Sequence, residues 1–530
     1  MSVSPALELG LSPQDLGLPA KFQRWRPYQE DAILSAVSSQ KRFVAQAQPC
    51  GSGKSCCYVA QAILQGYRVV VLTSRKGLQD QLRNDFSSLH MTDIRGRANY
   101  SCNMSPGMTC EDGAHAGCRS NGTAGCSYTC AHKIARLAPL VTTNYPYWML
   151  QNKFGEGLGN FDLLVLDEAH NAPEEICSVM SVSITSREVY RMLRADFPPD
   201  GSSIGTWSVW AMELLPAARA ECDRLSEFAK SRIGGVSLAE ARELREWKNL
   251  VSKLETLAEA KGDWEAEAIK GGYKIDPVWA SQYADILFLK VPHVLMVSAT
   301  VVPKTLDLLG LTKEDYDYQE YPSTFPPRRS PLIYVPTVRV TWEWKPWMEE
   351  LWLNRIDQLI SRRLDRKGIT HTVSYDRRNT ILERCQCSEY MMSHSTGDIV
   401  HQVESFRCSE PPRVFVSPAV GTGWDFPYTD CEFGIISKIP YPDTRTRVMT
   451  TRVKADPDYR NYVTSQALIQ YCGRPMRAPD DQCENICIDD MLKVVLATCG
   501  DLLPNSFRKL YRRSDTLPEP PPRLERRSRL

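Results

Sequence analysis

Hydrophobic residues in this chain fall into short dense runs with amphipathic stretches between them. Residues 42–46, 68–73, 140–145, 161–167 and 291–296 are five such strand-like runs, without a regular polar alternate. Strands of a parallel sheet, covered on both faces, read this way. Residues 31–37 and 55–64 carry apolar side chains at helical spacing. Strand alternating with helix predicts an α/β fold. The rhythm returns beyond residue 337, with strand-like runs at 368–375, 413–417 and 433–438 and a helical run at 459–471. A second α/β domain is expected there, reached through a Pro-rich linker at 319–336.

The rhythm breaks twice inside the first α/β domain. Across 96–138, Gly, Ser, Asn and Cys dominate and periodicity is lost. Across 175–285 the chain is mostly helical. There Ser237 and Glu240 have capping-box spacing, and Leu244, Trp247, Val251, Leu254 and Ala258 follow as one apolar stripe. The expected layout is a leader at 1–20 and a first α/β domain at 21–95, 139–174 and 286–318. It is interrupted by a Cys-rich insert at 96–138 and a helical insert at 175–285. The linker, a second α/β domain at 337–500 and a tail at 501–530 complete it. From residue 505 that tail carries eight Lys or Arg against three Asp or Glu, with a Pro-rich run at 518–522. It reads as disordered, with weak electrostatic affinity for nucleic acid.

A length of 530 residues asks for several cores. The net charge of +1 gives no global attraction to nucleic acid, so a binding surface must be a local groove. No apolar run is long enough to span a bilayer. The first nineteen residues lack the basic-then-apolar pattern of a secretory signal, and a cytosolic chain is expected. Its 18 Cys are then not a disulfide framework.

The chemistry gathers at strand ends. Gln48-Pro49-Cys50-Gly51-Ser52-Gly53-Lys54-Ser55 lies between an apolar run and a helical one. In such a loop backbone N–H groups cradle phosphates, the Lys reaches the terminal phosphates and the Ser hydroxyl binds Mg²⁺. Upstream is Arg26-Pro27-Tyr28-Gln29, whose Gln amide offers a donor and an acceptor suited to an adenine edge. Ser74-Arg75-Lys76 follows the second apolar run, placed to hold a nucleic-acid backbone. Asp167-Glu168-Ala169-His170 ends the fourth. Asp167 is placed to hold Mg²⁺ and Glu168 to orient and deprotonate the attacking water. Ser298-Ala299-Thr300 ends the fifth. In the second domain, Gly421-Thr-Gly423-Trp424-Asp425-Phe426 follows a strand, and Gln470-Tyr-Cys-Gly473-Arg474-Pro-Met-Arg477 closes the helical run. Arg474 and Arg477 can meet a γ-phosphate from across a cleft.

Cys102, Cys110, Cys118, Cys126 and Cys130 crowd the Cys-rich insert. A stretch with so few apolar residues needs a staple, and under reducing conditions that is a metal. Zn²⁺ and an iron–sulfur cluster both take four thiolates. Only Cys126 and Cys130 are spaced as closely as zinc pairs usually are. His115 and His132 are further candidate ligands.

In this order the motifs resemble those of superfamily 2 helicases, and within them the XPD/DinG-like iron–sulfur branch, over roughly residues 22–500. Arg26–Gln29 resembles the adenine-reading motif, Gln48–Ser55 motif I, Thr73–Lys76 motif Ia and Asp167–His170 the DEAH box. Ser298–Thr300 resembles motif III, Gly421–Phe426 motif V and Gln470–Arg477 motif VI. Gln48 and Cys50 depart from the Ala and Thr usual in motif I of this branch. The resemblance implies two RecA-like motor domains, a [4Fe–4S] cluster domain and a helical arch inserted in the first. ATP·Mg²⁺ would then be held by Gly51, Ser52, Gly53, Lys54, Ser55 and Asp167, with Gln29 at the adenine, Gln470 at the nucleotide and Glu168, Arg474 and Arg477 acting on the γ-phosphate. It implies cluster ligands Cys102, Cys110, Cys118 and Cys126, with Cys130 as the alternate, and Zn²⁺ as the alternative metal. Implied too is 5′→3′ movement on single-stranded and forked DNA; a monomer is expected, and RNA is not ruled out as a track. Two other readings stand beside it: a nucleic-acid-stimulated ATPase that remodels without unwinding, and a DNA-binding scaffold with a vestigial motor.

Overall fold

The computed structural model describes residues 9–103, 107–115, 118, 125–232, 236–341, 343–395, 397–421, 424, 426–473, 476 and 481–523. Its two principal sheets each have seven strands, all parallel. Across the first the order is Tyr316–Glu320, Phe43–Ala47, His293–Ser298, Leu163–Asp167, Val69–Thr73, Leu140–Asn144 and Thr92–Asp93. Successive side chains of a strand point to opposite faces. Val69 and Val71 therefore enter one core while Val70 and Leu72 enter the other, and Leu163 and Val165 part from Leu164 and Leu166 in the same way. This two-sided burial is why the runs are apolar without alternation. It also brings Ala47, Thr73, Asp167 and Ser298 out together at one sheet edge.

The second sheet runs Met391–Met392, Arg413–Ser417, Lys367–His371, Phe433–Ile436, Glu484–Asp489, Leu332–Val338 and Tyr511–Arg513. Four of these strands lie outside the runs expected as strands, and two of the four, Leu332–Val338 and Tyr511–Arg513, reach beyond the stretch expected to form the second domain. Leu332–Val338 begins inside the stretch read as linker. Tyr511–Arg513 belongs to the stretch read as a disordered tail, and pairs in parallel with Leu332–Val338. Beyond it, residues 514–523 lie along the second domain. Arg363 donates to Pro518 O at 3.0 Å and Arg366 to Pro521 O at 3.1 Å, while Arg523 makes a two-point pair with Glu432. A Pro-rich strand leaves its carbonyls unused, and here buried arginines take them.

The helical insert is also only partly helical. Helices Ile204–Ser231 and Leu238–Ala258 pack together, and the expected capping box at Ser237 and Glu240 is formed. Their core includes Trp207, Leu244, Trp247, Leu250 and Leu254. Beneath them lies an antiparallel sheet of Val182–Thr185, Gly272–Pro277 and Trp264–Ile269. The insert touches the Cys-rich one through Arg245 and Asp112, 3.2 Å apart.

Candidate active site

The phosphate loop closes on itself through glycine. Gly51 and Gly53 hold φ of +72° and +81°, where an L side chain is strained. The turn delivers Lys54 to the first position of the helix Lys54–Gln65, with backbone N–H groups and the helix dipole facing the same space. The Ser52 hydroxyl is buried there without a hydrogen-bond partner among the described residues. An unmet donor in a ring of N–H groups suits a phosphate. The departures at Gln48 and Cys50 have local explanations. Gln48 turns inward, its amide donating to Gln46 Oε1 at 2.8 Å. Cys50 faces the other domain, where a Cβ added at Gly473 would lie 2.7 Å from its Sγ.

Gln29 braces this loop. Its Nε2 donates to Ser52 O at 2.9 Å and to Gly53 O at 3.2 Å, and its Oε1 accepts from the Arg26 N–H at 2.8 Å. The Arg26 guanidinium donates to Gly51 O. In this form the amide expected at an adenine edge is engaged with the loop.

A line of polar side chains starts at Lys54 and crosses to the second domain. Lys54 Nζ stands 3.7 Å from Glu168 Oε1, and both side chains are largely buried. Glu168 Oε2 accepts from Ser298 Oγ at 3.2 Å. His170 Nδ1 meets Ser298 Oγ at 2.7 Å and lies 3.4 Å from Glu168 Oε2. On its far side, His170 Nε2 faces Gln470 Nε2 at 3.2 Å. An amide nitrogen only donates, so His170 Nε2 is the acceptor and the neutral ring carries its proton on Nδ1. Glu168 itself sits at φ +53°, its N–H donating to Asp167 Oδ1 at 3.0 Å. A non-Gly residue in that region marks a strained turn held by its surroundings. The expected residues Lys54, Asp167, Glu168 and Gln470 are thus brought to one cleft. Arg474 and Arg477 lie outside the described residues, as do Thr422, Gly423 and Asp425.

Three residues here carried no signal in the sequence. Tyr145, which opens the helix Tyr145–Phe154 after a strand two places away in the sheet, donates to Asp167 O at 3.1 Å. Gln466 donates to Thr300 O at 2.7 Å. Phe325, between the two sheets, covers Gly51 so closely that an added Cβ would lie 2.7 Å from its ring. None belongs to a local pattern; each is recruited by the fold.

In the Cys-rich insert, Ser101 and Thr109 bridge antiparallel, setting Cys102 beside the helix Cys110–His115. Burial pushes the Cys110 thiol up, Arg97 works against it, and Cys126 and Cys102 add to the rise. Arg97 lies 3.8 Å from Cys110 Sγ. Cys126 caps the helix Ser127–Leu137 and accepts from Thr129 at 3.3 Å, while Cys130 is exposed one turn on. Cys118 donates its N–H to Gly113 O at 3.0 Å. Among the described residues no three His, Cys, Asp or Glu side chains form a group that could hold a metal.

Among solved structures, one titled XPD_Helicase has a TM-score of 0.60 at 14% identity, covering 92% of this chain and 99% of its own. The Xpd4 structure of S. tokodaii gives 0.57 at 15% identity, covering 92% and 100%. These likenesses show the fold of the XPD helicase structures. The chain's two seven-stranded sheets are the two RecA-like domains of that fold. Residues 23–197 match the family model for the type III restriction enzyme, res subunit. The ATP-dependent DNA helicase YoaA of Haemophilus influenzae is 24% identical, over 31% of this chain and 35% of that protein. The match thus spans about a third of the length of that curated relative. Among the described residues no helix is long and apolar enough to cross a membrane.

Proposed function

We propose that this chain is an ATP-dependent DNA helicase of DEAH-box type, coupling ATP hydrolysis to 5′→3′ movement on single-stranded DNA and to unwinding of forked duplex. The observation that carries the reading is the line Lys54–Glu168–Ser298–His170–Gln470, which joins the phosphate loop to the second domain. Bound at the loop, ATP·Mg²⁺ supplies the transferring phosphoryl group. Lys54 and Ser55 hold its phosphates and metal, Asp167 orients the metal, and Glu168 takes the proton of the attacking water. Arg474 and Arg477 follow Gln470 closely in sequence and stabilise charge on the phosphoryl group when the cleft shuts. Because Gln470 reads His170, cleft closure and the geometry of Glu168 change together. The protein works as a monomer with single-stranded and forked DNA as partners. Strand displacement on forks with only a 5′ or only a 3′ tail tests this. Unwinding from the 5′ tail alone, absent in Glu168→Gln, is the expected outcome; hydrolysis without displacement would instead mark a translocase or remodeller.

The Cys-rich insert is read as a [4Fe–4S] domain with Cys102, Cys110, Cys118 and Cys126 as thiolate ligands and Cys130 as the alternate. Five cysteines within residues 102–130, with Cys102 set beside the helix that Cys110 opens, support it. Protein prepared without oxygen is expected to be brown and to hold about four iron and four sulfide per chain. A colourless protein with one zinc would assign the staple to Zn²⁺.

A further inference from the structure

The helix Tyr459–Gly473 enters the nucleotide site with its C-terminal turns, through Gln466 and Gln470. Its other end is fastened elsewhere. Arg452, on the preceding helix Arg447–Ala455, is only 6% exposed. Its guanidinium serves three separate parts of the chain. Nε donates to Val278 O at 2.7 Å, where the sheet of the helical insert ends. Nη1 donates to Glu174 Oε1 at 2.5 Å and to the Tyr459 hydroxyl at 2.8 Å. Nη2 lies 3.3 Å from Cys177 Sγ. The Tyr459 hydroxyl donates in turn to the same Glu174 oxygen at 2.7 Å.

Glu174 and Cys177 lie on the helix Ala172–Met180, which leaves the Asp167–His170 turn directly. One segment of the first domain is therefore gripped twice by the second: at His170 by Gln470, and a few residues on by Arg452 and Tyr459. Arg447 and Thr451 extend the grip to the insert, donating to Ala266 O at 2.8 Å and to Glu265 Oε1 at 2.6 Å. An α-helix is stiff, and Tyr459 and Gln470 stand about 16 Å apart along this one. A displacement of the insert against the second domain thus reaches His170 through a rigid arm.

We propose that Arg452 is a positioning residue which couples the helical insert to the nucleotide site, with Tyr459–Gly473 as the arm. The inference rests on the proposed function, a helicase whose ATP hydrolysis is stimulated by DNA. Steady-state ATP hydrolysis by the full chain, with and without saturating single-stranded oligonucleotide, tests it. The variants are Arg452→Met, Arg452→Lys and Tyr459→Phe. Basal kcat and the KM for ATP are expected to stay at the wild-type level, as is affinity for the oligonucleotide by fluorescence anisotropy. The DNA-stimulated kcat is expected to fall about tenfold in Arg452→Met, with a partial loss in Arg452→Lys and in Tyr459→Phe. If Arg452→Met does not fold, Tyr459→Phe decides, since it removes a single hydroxyl. A wild-type protein that DNA stimulates, with variants that keep its stimulation ratio, overturns the inference and leaves the proposed function standing. Basal and stimulated rates falling by one common factor overturn it as well, marking Arg452 as structural support. A wild-type protein that DNA does not stimulate overturns both.

Discussion

Glu168→Gln is expected to retain nucleotide and stop its turnover, with kcat for ATP hydrolysis down by about 10²- to 10⁴-fold. The substitution keeps the shape of the side chain. Oε1 and Oε2 of Glu168 face Lys54 and Ser298, at 3.7 and 3.2 Å. A Gln in that place still accepts from the Ser298 hydroxyl and still fills the strained turn. What it cannot do is take a proton from water. Binding made by the loop N–H groups and by Lys54 is left in place by the substitution, so affinity for ATP should change little while kcat collapses. Equilibrium titration with a fluorescent ATP analogue, beside a steady-state hydrolysis assay, separates the two. Wild-type turnover in Glu168→Gln would remove Glu168 from its assigned role.

The parts of this molecule legible from sequence are those where one residue pattern has one physical solution. Val69–Thr73 and Leu163–Asp167 are apolar without alternation because both faces are buried, and both are strands close to where they were expected. The loop at Gly51 and Gly53 was legible because only glycine takes those angles cheaply. Edge strands were not. Tyr316–Glu320 is Tyr-Asp-Tyr-Gln-Glu, and Thr92–Asp93 has two residues. Neither buries enough to leave a pattern. The insert hairpin was missed for another reason. Trp264–Ile269 reads Trp-Glu-Ala-Glu-Ala-Ile, rich in helix formers. Its period of two, and the Gly271 turn at φ +78° before Gly272, was the available signal. Site residues followed the same divide. Lys54, Asp167 and Glu168 stand in local motifs, whereas Tyr145, Gln466, Phe325 and Arg452 act through contacts more than twenty residues away in sequence.

Arg363→Ala is expected to destabilise the second α/β domain by about 3–5 kcal/mol, lowering its unfolding midpoint by roughly 6–20 °C. Arg363 and Glu484 are paired at two points, Nε to Oε1 at 2.7 Å and Nη2 to Oε2 at 2.9 Å. The two side chains are 0% and 1% exposed. Two of the three remaining donors of the guanidinium go to Leu359 O and Pro518 O, both at 3.0 Å. A pair so enclosed gains little over apolar residues of the same size, because both ions lost their water. Removing one partner is a different matter, since Glu484 is then left buried and uncompensated. The double variant Arg363→Met with Glu484→Leu should therefore be markedly more stable than Arg363→Ala alone. Thermal unfolding of the three proteins distinguishes these cases. Truncation after residue 514 probes the lid on the same pair. It removes the Pro518 carbonyl and the strap from Arg363 while leaving the ion pair itself, so its loss should be smaller than that of Arg363→Ala. A truncated protein as unstable as Arg363→Ala would mean that the strap, rather than the charge pairing, keeps water from Glu484.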